Sequence, residues 1–321
     1  MIHRLKWTIR VILAAAWLAQ LAPAVAAGPD AGASDSSSEV VVTGTRVTDR
    51  ARLDTLSPVD VLTNETLASH ASTELAQALA NSIPSLDFPR PSITDGTDHI
   101  RPAALRGLSP DQTLVLVNSK RRHASALVNV NGSVGRGSAA VDLDAIPLAA
   151  VNSVELLRDG ASAEYGSDAI AGVLNLRLRE ARDGGSATLT YGQYDTIVNT
   201  ERGHRRERDG ETVTVSAWSG LPLGPAGFLT LSAEYRDRDP TSRGDFDDRV
   251  TRLPVPEPLR VTSRYGDPEA RDASFYANAG MPINAEWDTY GWVGYQKRRA
   301  ESAAFCLTAA ARFSISNSVV T

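Results

Sequence analysis

The sequence predicts two successive structures. The first is an α+β domain, a small mixed sheet with short helices, and the second is the first antiparallel strands of an incomplete transmembrane β-barrel. Three observations predict this. The chain begins with an export signal, residues 58–180 mix short strand and helix patterns, and residues 181–305 change to strands that alternate apolar and polar side chains. Alternation of this kind is typical of transmembrane barrels.

The N-terminus has the three parts of a secretory signal peptide. An apolar run from Val11 to Leu21 is followed by a small-residue cleavage site at Ala24-Val25-Ala26. Basic residues precede the run, namely His3, Arg4, Lys6 and Arg10. A membrane-spanning helix needs about 20 apolar residues, and this run is too short. We therefore expect residues 1–26 to be removed on export.

Composition excludes several classes of protein. The net charge is −5, which argues against nucleic-acid binding, because that function favours a basic domain. Cys306 is the single cysteine, so no intramolecular disulfide can form. Residues 27–38 are small and polar and cannot bury enough apolar surface to order themselves. Residues 27–57 are therefore predicted to be a flexible periplasmic arm.

A short β-prone segment, Glu39 to Arg46, follows the polar stretch. An extended, apolar, unpaired segment can add as a strand to the sheet edge of a partner protein. The alternative is that this segment is simply the first strand of the folded domain.

Residues 58–180 are predicted to form the α+β domain. Ser72 can cap a helix over 73–81, which Pro84 ends, and Asp168 is predicted to start a short helical turn. The run Thr113 to Val117 is continuously apolar after its first residue, as in a strand buried on both faces. The predicted strands are 59–62, 99–105, 113–117, 151–157 and 172–178.

Three ordered segments of this domain resemble one protein family. They are Leu105–Asn118, Val141–Pro147 and Val154–Leu176, which includes Leu157-Arg158-Asp159-Gly160 and Asp168-Ala169-Ile170-Ala171-Gly172. Together they resemble the plug domain of TonB-dependent outer-membrane receptors. The resemblance implies that Val40, Val41, Val42 and Thr43 form the TonB box, whose partner is the periplasmic energy-coupling protein TonB.

The resemblance also implies plug loops that face a small-molecule ligand. The candidate residues are Lys120, Arg121, Arg122, His123, Asn129, Asn131 and Arg136. The basic cluster could meet an anionic ligand, or it could be a solvated turn. The nearby glycines 132, 135 and 137 do not form a phosphate-binding loop, because no Gly-Lys-Ser/Thr ending follows.

Two further features concern the surroundings of the plug. By resemblance, Arg106 and Arg158 would pair with carboxylates on the inner barrel wall; the alternative is two surface arginines at strand ends. Asn118-Ser119 departs from the Asp-Gly or Asn-Gly turn common in the family, which places the strained turn position in doubt.

The sequence offers no enzymatic constellation. The five histidines show no metal-ligand spacing, and there is no Gly-x-Ser-x-Gly nucleophile elbow. We therefore expect a protein that is not an enzyme and that needs no cofactor.

The strands after residue 181 alternate strictly. Leu229, Leu231 and Tyr235 share one face, whereas Thr230 and Arg236 share the other. A soluble β-sandwich alternates identically, so the pattern alone leaves both structures open. The export signal and the plug resemblance favour a barrel in the outer membrane, in contact with lipid.

The number of strands predicts an incomplete barrel. Residues 186–300 hold about five strands, whereas a single-chain bacterial barrel needs at least about eight. The family pattern also fades in residues 306–321, a divergent tail. We therefore expect the N-terminal part of a receptor, unable to transport alone. An autonomous periplasmic plug-like binding module and a non-functional gene remnant are the alternatives.

Overall fold

The computed structural model describes residues 59–303, with gaps at 71, 95, 131, 247–260, 262 and 285, together with the backbone of residues 40–41 and 50–51. The predicted signal peptide and divergent tail lie outside the described residues, as do Val42, Thr43 and Asn131 of the predicted sites. Among the described residues, none of the helices is both long and apolar enough to cross a membrane.

The elements follow one another in two groups. Those of the first group are β1 (Val40–Val41), β2 (Arg50–Ala51), β3 (Val59–Thr63), α1 (Asn64–Ser69), α2 (Leu75–Ser82), β4 (Leu86–Asp87), β5 (Ala104–Leu105), β6 (Thr113–Val117), β7 (Lys120–Arg121), β8 (Val151–Leu157), α3 (Ser162–Tyr165) and β9 (Gly172–Leu178). Those of the second are β10 (Gly185–Thr200), β11 (Gly203–Leu223), β12 (Gly227–Arg238), β13 (Glu269–Pro282) and β14 (Asp288–Glu301).

A mixed sheet organises the N-terminal domain, residues 59–178. Its strand order is β3-β8-β9-β6-β7, and β6 and β9 are parallel whereas the other pairs are antiparallel. All five residues of β6 are buried, which confirms the two-sided burial predicted from its apolar run. Leu79 of α2 packs in the core on one face, and Leu114 and Val173 pack on the other.

One predicted strand and one predicted helix differ from the structure in their extent. The strand predicted over 99–105 is wrong except at Ala104–Leu105, because a 3₁₀ turn ends at His99 and Pro102 has no N–H for a ladder bond. Helix α2 begins at Leu75, two residues later than predicted. The Ser72 hydroxyl bonds instead with the Glu74 backbone, at 3.0 Å to its oxygen.

The predicted helical turn at Asp168 is also wrong. The helical turn lies earlier, over Ser162–Tyr165, and Gly166 ends it with a φ of +94°. This left-handed conformation favours glycine, and it redirects the chain towards Asp168, which lies outside the helix.

A two-residue turn at Asn118-Ser119 connects β6 to β7. Both residues have positive φ, 47° and 62°, as a type I′ hairpin turn requires. Asn118 tolerates this conformation and its Oδ1 accepts a hydrogen bond from the Leu178 N–H at 2.8 Å. The strained position is therefore Ser119, where the family commonly has glycine.

Replacing Ser119 by glycine is expected to raise the free energy of unfolding by about 0.5 kcal/mol, because a left-handed L-residue costs about 1–2 kcal/mol and glycine's extra chain entropy offsets part of this. Denaturant unfolding of the full chain measures the change. Asn118→Gly is the matched control and should be destabilising, because it deletes the bond to Leu178. Equal effects of the two substitutions would contradict this account of the turn.

Strands β10 to β14 form one antiparallel sheet in sequence order, the wall sheet. Its polar side is buried: Thr230, Ser232 and Arg236 are each at most 3% exposed. Its apolar side is open, with Leu189 68% and Val293 61% exposed. A soluble sandwich buries the apolar side instead, so this arrangement is that of an open barrel wall with its polar residues on the inner side.

Candidate functional site: the interface between the N-terminal domain and the wall sheet

Glu74 lies where the N-terminal domain meets the wall sheet, immediately before α2. Its carboxylate is surrounded by arginines of both parts. Arg90 of its own domain approaches to 2.5 Å and Arg101 to 3.9 Å. From the wall, Arg236 lies at 3.8 Å, and Arg238 forms the shortest ion pair with Glu74.

These arginines determine the charge state of Glu74. Burial by itself would raise the pKa of a carboxyl group, yet the guanidinium groups of Arg238, Arg236, Arg101 and Arg90 hold the pKa of Glu74 well below its usual range. Glu74 is therefore ionised at every physiological pH.

The period of strand β12 explains how two arginines reach one carboxylate. Successive side chains of a strand alternate between its faces, so Arg236 and Arg238 both point inward. Both are buried, at 3% and 8% exposure. Their strand neighbour Tyr235 belongs to the opposite, outward face, where it is paired in register with Val215 and Ala273.

A second group of ion pairs centres on Arg298 of β14. Its Nη1 donates to Asp142 Oδ2 and to the His99 carbonyl, both at 2.6 Å, and its Nε pairs with Asp272 of β13. Asp272 also lies 3.4 Å from Arg236 Nη2. The second group is therefore continuous with the first.

Asp144 lies between these two groups of ion pairs and is poorly paired with either. Its Oδ2 lies 3.6 Å from Arg236 Nη2, beyond hydrogen-bond distance, and its buried Oδ1 has no hydrogen-bond partner among the described residues. Burial, reinforced by the charge of Glu74, raises the pKa of Asp144 to about 6. The group is thus poised to titrate near neutral pH.

The third part of the interface surrounds Arg101, whose side chain is 1% exposed. It donates to Asp267 Oδ1 at 2.9 Å and to the Asp98 carbonyl at 2.8 Å. Ser302 Oγ donates to Asp98 at 2.7 Å and also bonds with His99 Nε2. Burial lowers the pKa of His99, which favours the neutral imidazole.

Together these residues make an interface network that links the two parts of the chain. Its members are Glu74, Arg90, Arg101, Asp142, Asp144, Arg236, Arg238, Asp267, Asp272 and Arg298. Five are basic and five acidic, so the charges balance. Such a network holds two surfaces in register, and its members can be rehydrated when the surfaces separate.

The predicted ligand-facing residues do not form one exposed basic cluster. Arg122 is 9% exposed and lies over the Trp292 ring at 6.0 Å, and Arg121 pairs with Asp168. Lys120 is exposed, 5.7 Å from the Tyr290 ring. Only part of the predicted positive charge therefore faces solvent.

The remaining loop candidates are divided in the same way. Asn129 is buried and donates to Ser138 Oγ at 3.2 Å, whereas Arg136 and His123 are exposed. Burial and then Arg122 lower the pKa of His123. A ligand-facing role for these residues stays a prediction.

Arg106 and Arg158 contact their own domain among the described residues. Arg106 Nη2 donates to the Ala171 carbonyl at 2.6 Å, and Arg158 pairs with Asp60 at 2.8 Å. Their pairing with carboxylates of a barrel wall stays a prediction.

Sequence reasoning did not find the residues of the interface network. The network residues on the wall sheet could have been recognised from the sequence. Charged residues at the polar positions of alternating strands must face water or a partner. Arg236 and Asp272 stand at such positions. Glu74 and Asp142 could not have been recognised from the sequence, since an acidic residue beside a short helix is common.

No group of three or more His, Cys, Asp or Glu side chains within the described parts of the chain could hold a metal ion. The ten members of the interface network are charged residues that pair with one another. Its geometry serves to hold the two surfaces together.

The fold and this interface define a small domain seated against the inner face of a barrel wall. Residues 51–173 match the family model of the TonB-dependent receptor plug domain. Over these residues the chain is similar to a TonB-dependent receptor plug domain, which confirms the resemblance inferred from its motifs.

Solved structures show the same fold. A mutant of the ferric enterobactin receptor PfeA from Pseudomonas aeruginosa, in complex with enterobactin, is 18% identical with a TM-score of 0.55, over 76% of this chain and 33% of that one. The siderophore receptor PirA from Acinetobacter baumannii is 18% identical with a TM-score of 0.52, over 76% and 32%. The chain thus spans about a third of the length of these receptors.

Proposed function

We propose that this chain is part of a TonB-dependent outer-membrane receptor that takes up a scarce solute by energy-coupled transport. The interface network carries the proposal. It seats the plug domain against the inner, polar face of the wall sheet, while the opposite face presents apolar side chains to lipid.

The charges at the interface suit a plug that must move. An apolar interface would resist opening, because its surfaces gain nothing from water. When ion pairs such as Glu74–Arg238 and Asp142–Arg298 separate, water hydrates the charges, so the net contribution of each pair to the stability of the interface is small. Removing only one partner of a pair is nevertheless costly, because it leaves the other charge buried and unpaired. The interface is therefore specific, and the plug domain can still separate from the wall sheet.

The opening force would enter through the segment Val40 to Thr43. Val40–Val41 forms a short strand paired with Arg50–Ala51, and this extended backbone supports the proposal. We propose that TonB adds a strand here and pulls the plug domain away from the wall. This is coupled transport without bond chemistry or a resident cofactor.

Location and ligand class belong to the same proposal. Residues 1–26 would direct export, and the exposed apolar side chains of the wall sheet would contact outer-membrane lipid. The ligand would be siderophore-like, cobalamin-like or an oligosaccharide. The structural relatives named as siderophore receptors support the first of these.

The wall sheet has five strands, whereas single-chain barrels use at least about eight. We propose that transport needs further strands beyond those described, and that this chain is an N-terminal fragment of a receptor. An autonomous periplasmic module is disfavoured, since it would have no use for an open apolar face.

Binding of the full chain to the purified periplasmic domain of TonB tests the proposal. Val41→Pro is expected to weaken binding at least about tenfold, because proline removes a backbone N–H that the added strand needs. Calorimetry in detergent measures the dissociation constant. Ala33→Pro is the matched control, in the polar stretch before the segment, and should bind normally. Absence of binding by the unaltered chain would refute the proposal.

A further inference from the structure

The outward face of the wall sheet changes character along strands β13 and β14. Phe275, Val293 and Tyr295 are exposed, at 42%, 61% and 45%, and form an apolar and aromatic band. Beyond them on the same face stand Lys297 and Arg299 of β14, and Arg271 of β13. We call these three residues the basic rim.

The register of the strands brings the basic rim together. Lys297 is paired with Ala273, and Arg299 with Arg271, so all three side chains leave the same face within two adjacent rows. Asp237 of β12 stands beside Arg271 in the second row. The two rows therefore carry three basic residues and one acidic residue.

The basic rim lies at one end of the wall sheet, and the chain enters the sheet from the plug domain at the other end. The chain leaves the plug domain near Ala181, whose N–H donates to Thr230 Oγ1 at 2.9 Å, close to the start of β12. Arg271 is at the start of β13 and Arg299 near the end of β14, at the opposite end. The long connection from Arg238 to Glu269 also leaves the sheet at this end. Outer-membrane barrels carry their longer loops on the outer side, so in such a receptor this end would lie at the outer leaflet.

Ion pairing leaves much of the rim's charge available. Arg271 is bound by Asp237 and Glu269, each at 3.2 Å. Lys297 and Arg299, in contrast, have no ion pair with any residue in the described part of the chain, and both are exposed. The next acidic row, Glu269 paired with Glu301, lies further from the apolar band.

We propose that the basic rim binds the phosphate groups of an outer-leaflet lipid. The inference rests on the proposed function, which places the apolar band in the membrane. Aromatic side chains mark the level of the headgroups, and the rim stands one to two rows beyond them. A guanidinium fork suits phosphate geometry, and long basic side chains keep their charge at the headgroups while their stems cover apolar surface.

Flotation of the full chain with lipid vesicles tests this inference. The vesicles are phosphatidylcholine alone, or with a minor fraction of diphosphorylated lipid A or of lipid A with its phosphates removed. The unaltered chain should prefer phosphorylated lipid A, and salt should weaken the preference. In the double variant Lys297→Ala, Arg299→Ala the preference for phosphorylated over dephosphorylated lipid A should fall roughly 25-fold, since each basic residue contributes roughly fivefold.

The controls separate the inference from the proposed function. Arg206→Ala, Arg208→Ala removes two outward arginines already held by Asp195 and should keep most of the preference. Equal retention of both lipid A forms by the unaltered chain would overturn the phosphate site while leaving the receptor proposal intact, and this result needs no variant. A chain that binds none of the vesicles would refute the membrane location and the rim together.

Discussion

Replacement of Glu74 by glutamine is expected to lower the free energy of unfolding of the seated plug domain by about 3–5 kcal/mol. The substitution keeps the size of the side chain and removes only its charge. Arg101, Arg236 and Arg238 would then be buried near one another without the carboxylate that they share.

Hydrogen exchange of helix α2 in the full chain, held in detergent micelles, measures this effect. The helix follows Glu74 directly, so its amide protection should fall by about two to four orders of magnitude. Glu164→Gln is the matched control on α3 of the same domain, where the side chain is exposed, and it should change stability by less than about 0.5 kcal/mol. Equal protection in the two variants would show that the network does not seat the plug domain.

A double-mutant cycle with Arg238→Met distinguishes the ion pair from a general loss of packing. Because Arg238 forms the closest pair with Glu74, the two substitutions should be less damaging together than the sum of their separate effects. The coupling should exceed about 1 kcal/mol. Additive effects would mean that the two side chains act independently.

The parts of the fold that the sequence predicted are those set by local pattern. The continuous apolar run of β6 indicates burial on both faces, and the glycine at 172 marks the start of β9. The alternation of β12 places Arg236 on the inward side whatever lies opposite. These features depend on residues close together in the chain.

The parts that could not be predicted depend on distant partners. Arg121 and Arg122 are neighbours in sequence, yet one pairs with Asp168 and the other lies against Trp292. Nothing local separates them, because Trp292 belongs to a strand of the wall sheet. For the same reason Glu74 could not be matched with Arg238, which is 164 residues away.

The strongest test of the interface chemistry compares two carboxylates that stand two residues apart. Asp142 accepts hydrogen bonds from the Arg101 N–H at 3.0 Å and from Arg298 at 2.6 Å. Asp144 has no such bond to its side chain among the described residues, and burial holds its pKa at about 6. Asp142→Asn should therefore destabilise the plug domain by about 3 kcal/mol.

Asp144→Asn should have the opposite effect, and the effect should depend on pH. The folded-state pKa of Asp144 lies above its ordinary value of 3.8. Its protonated form is thus favoured by folding, and that stability is fully present below about pH 4 and is lost as the pH rises through about 6. Asparagine stays neutral, so the variant should exceed the unaltered chain by about 3 kcal/mol at pH 7 and by less than about 1 kcal/mol at pH 4.

The difference between the two unfolding curves, measured by urea titration at several pH values, isolates Asp144. The unfolding curve of the unaltered chain would not isolate Asp144, because His99 also titrates and has the opposite effect. Burial lowers the pKa of His99, so the contribution of its neutral ring to the stability of the protein is lost as the pH falls. A pH-independent difference would show that the pKa of Asp144 is the same in the folded and unfolded states. Destabilisation by both asparagine substitutions would show that each carboxylate is needed as a counter-ion, and that the interface network has no member poised to titrate.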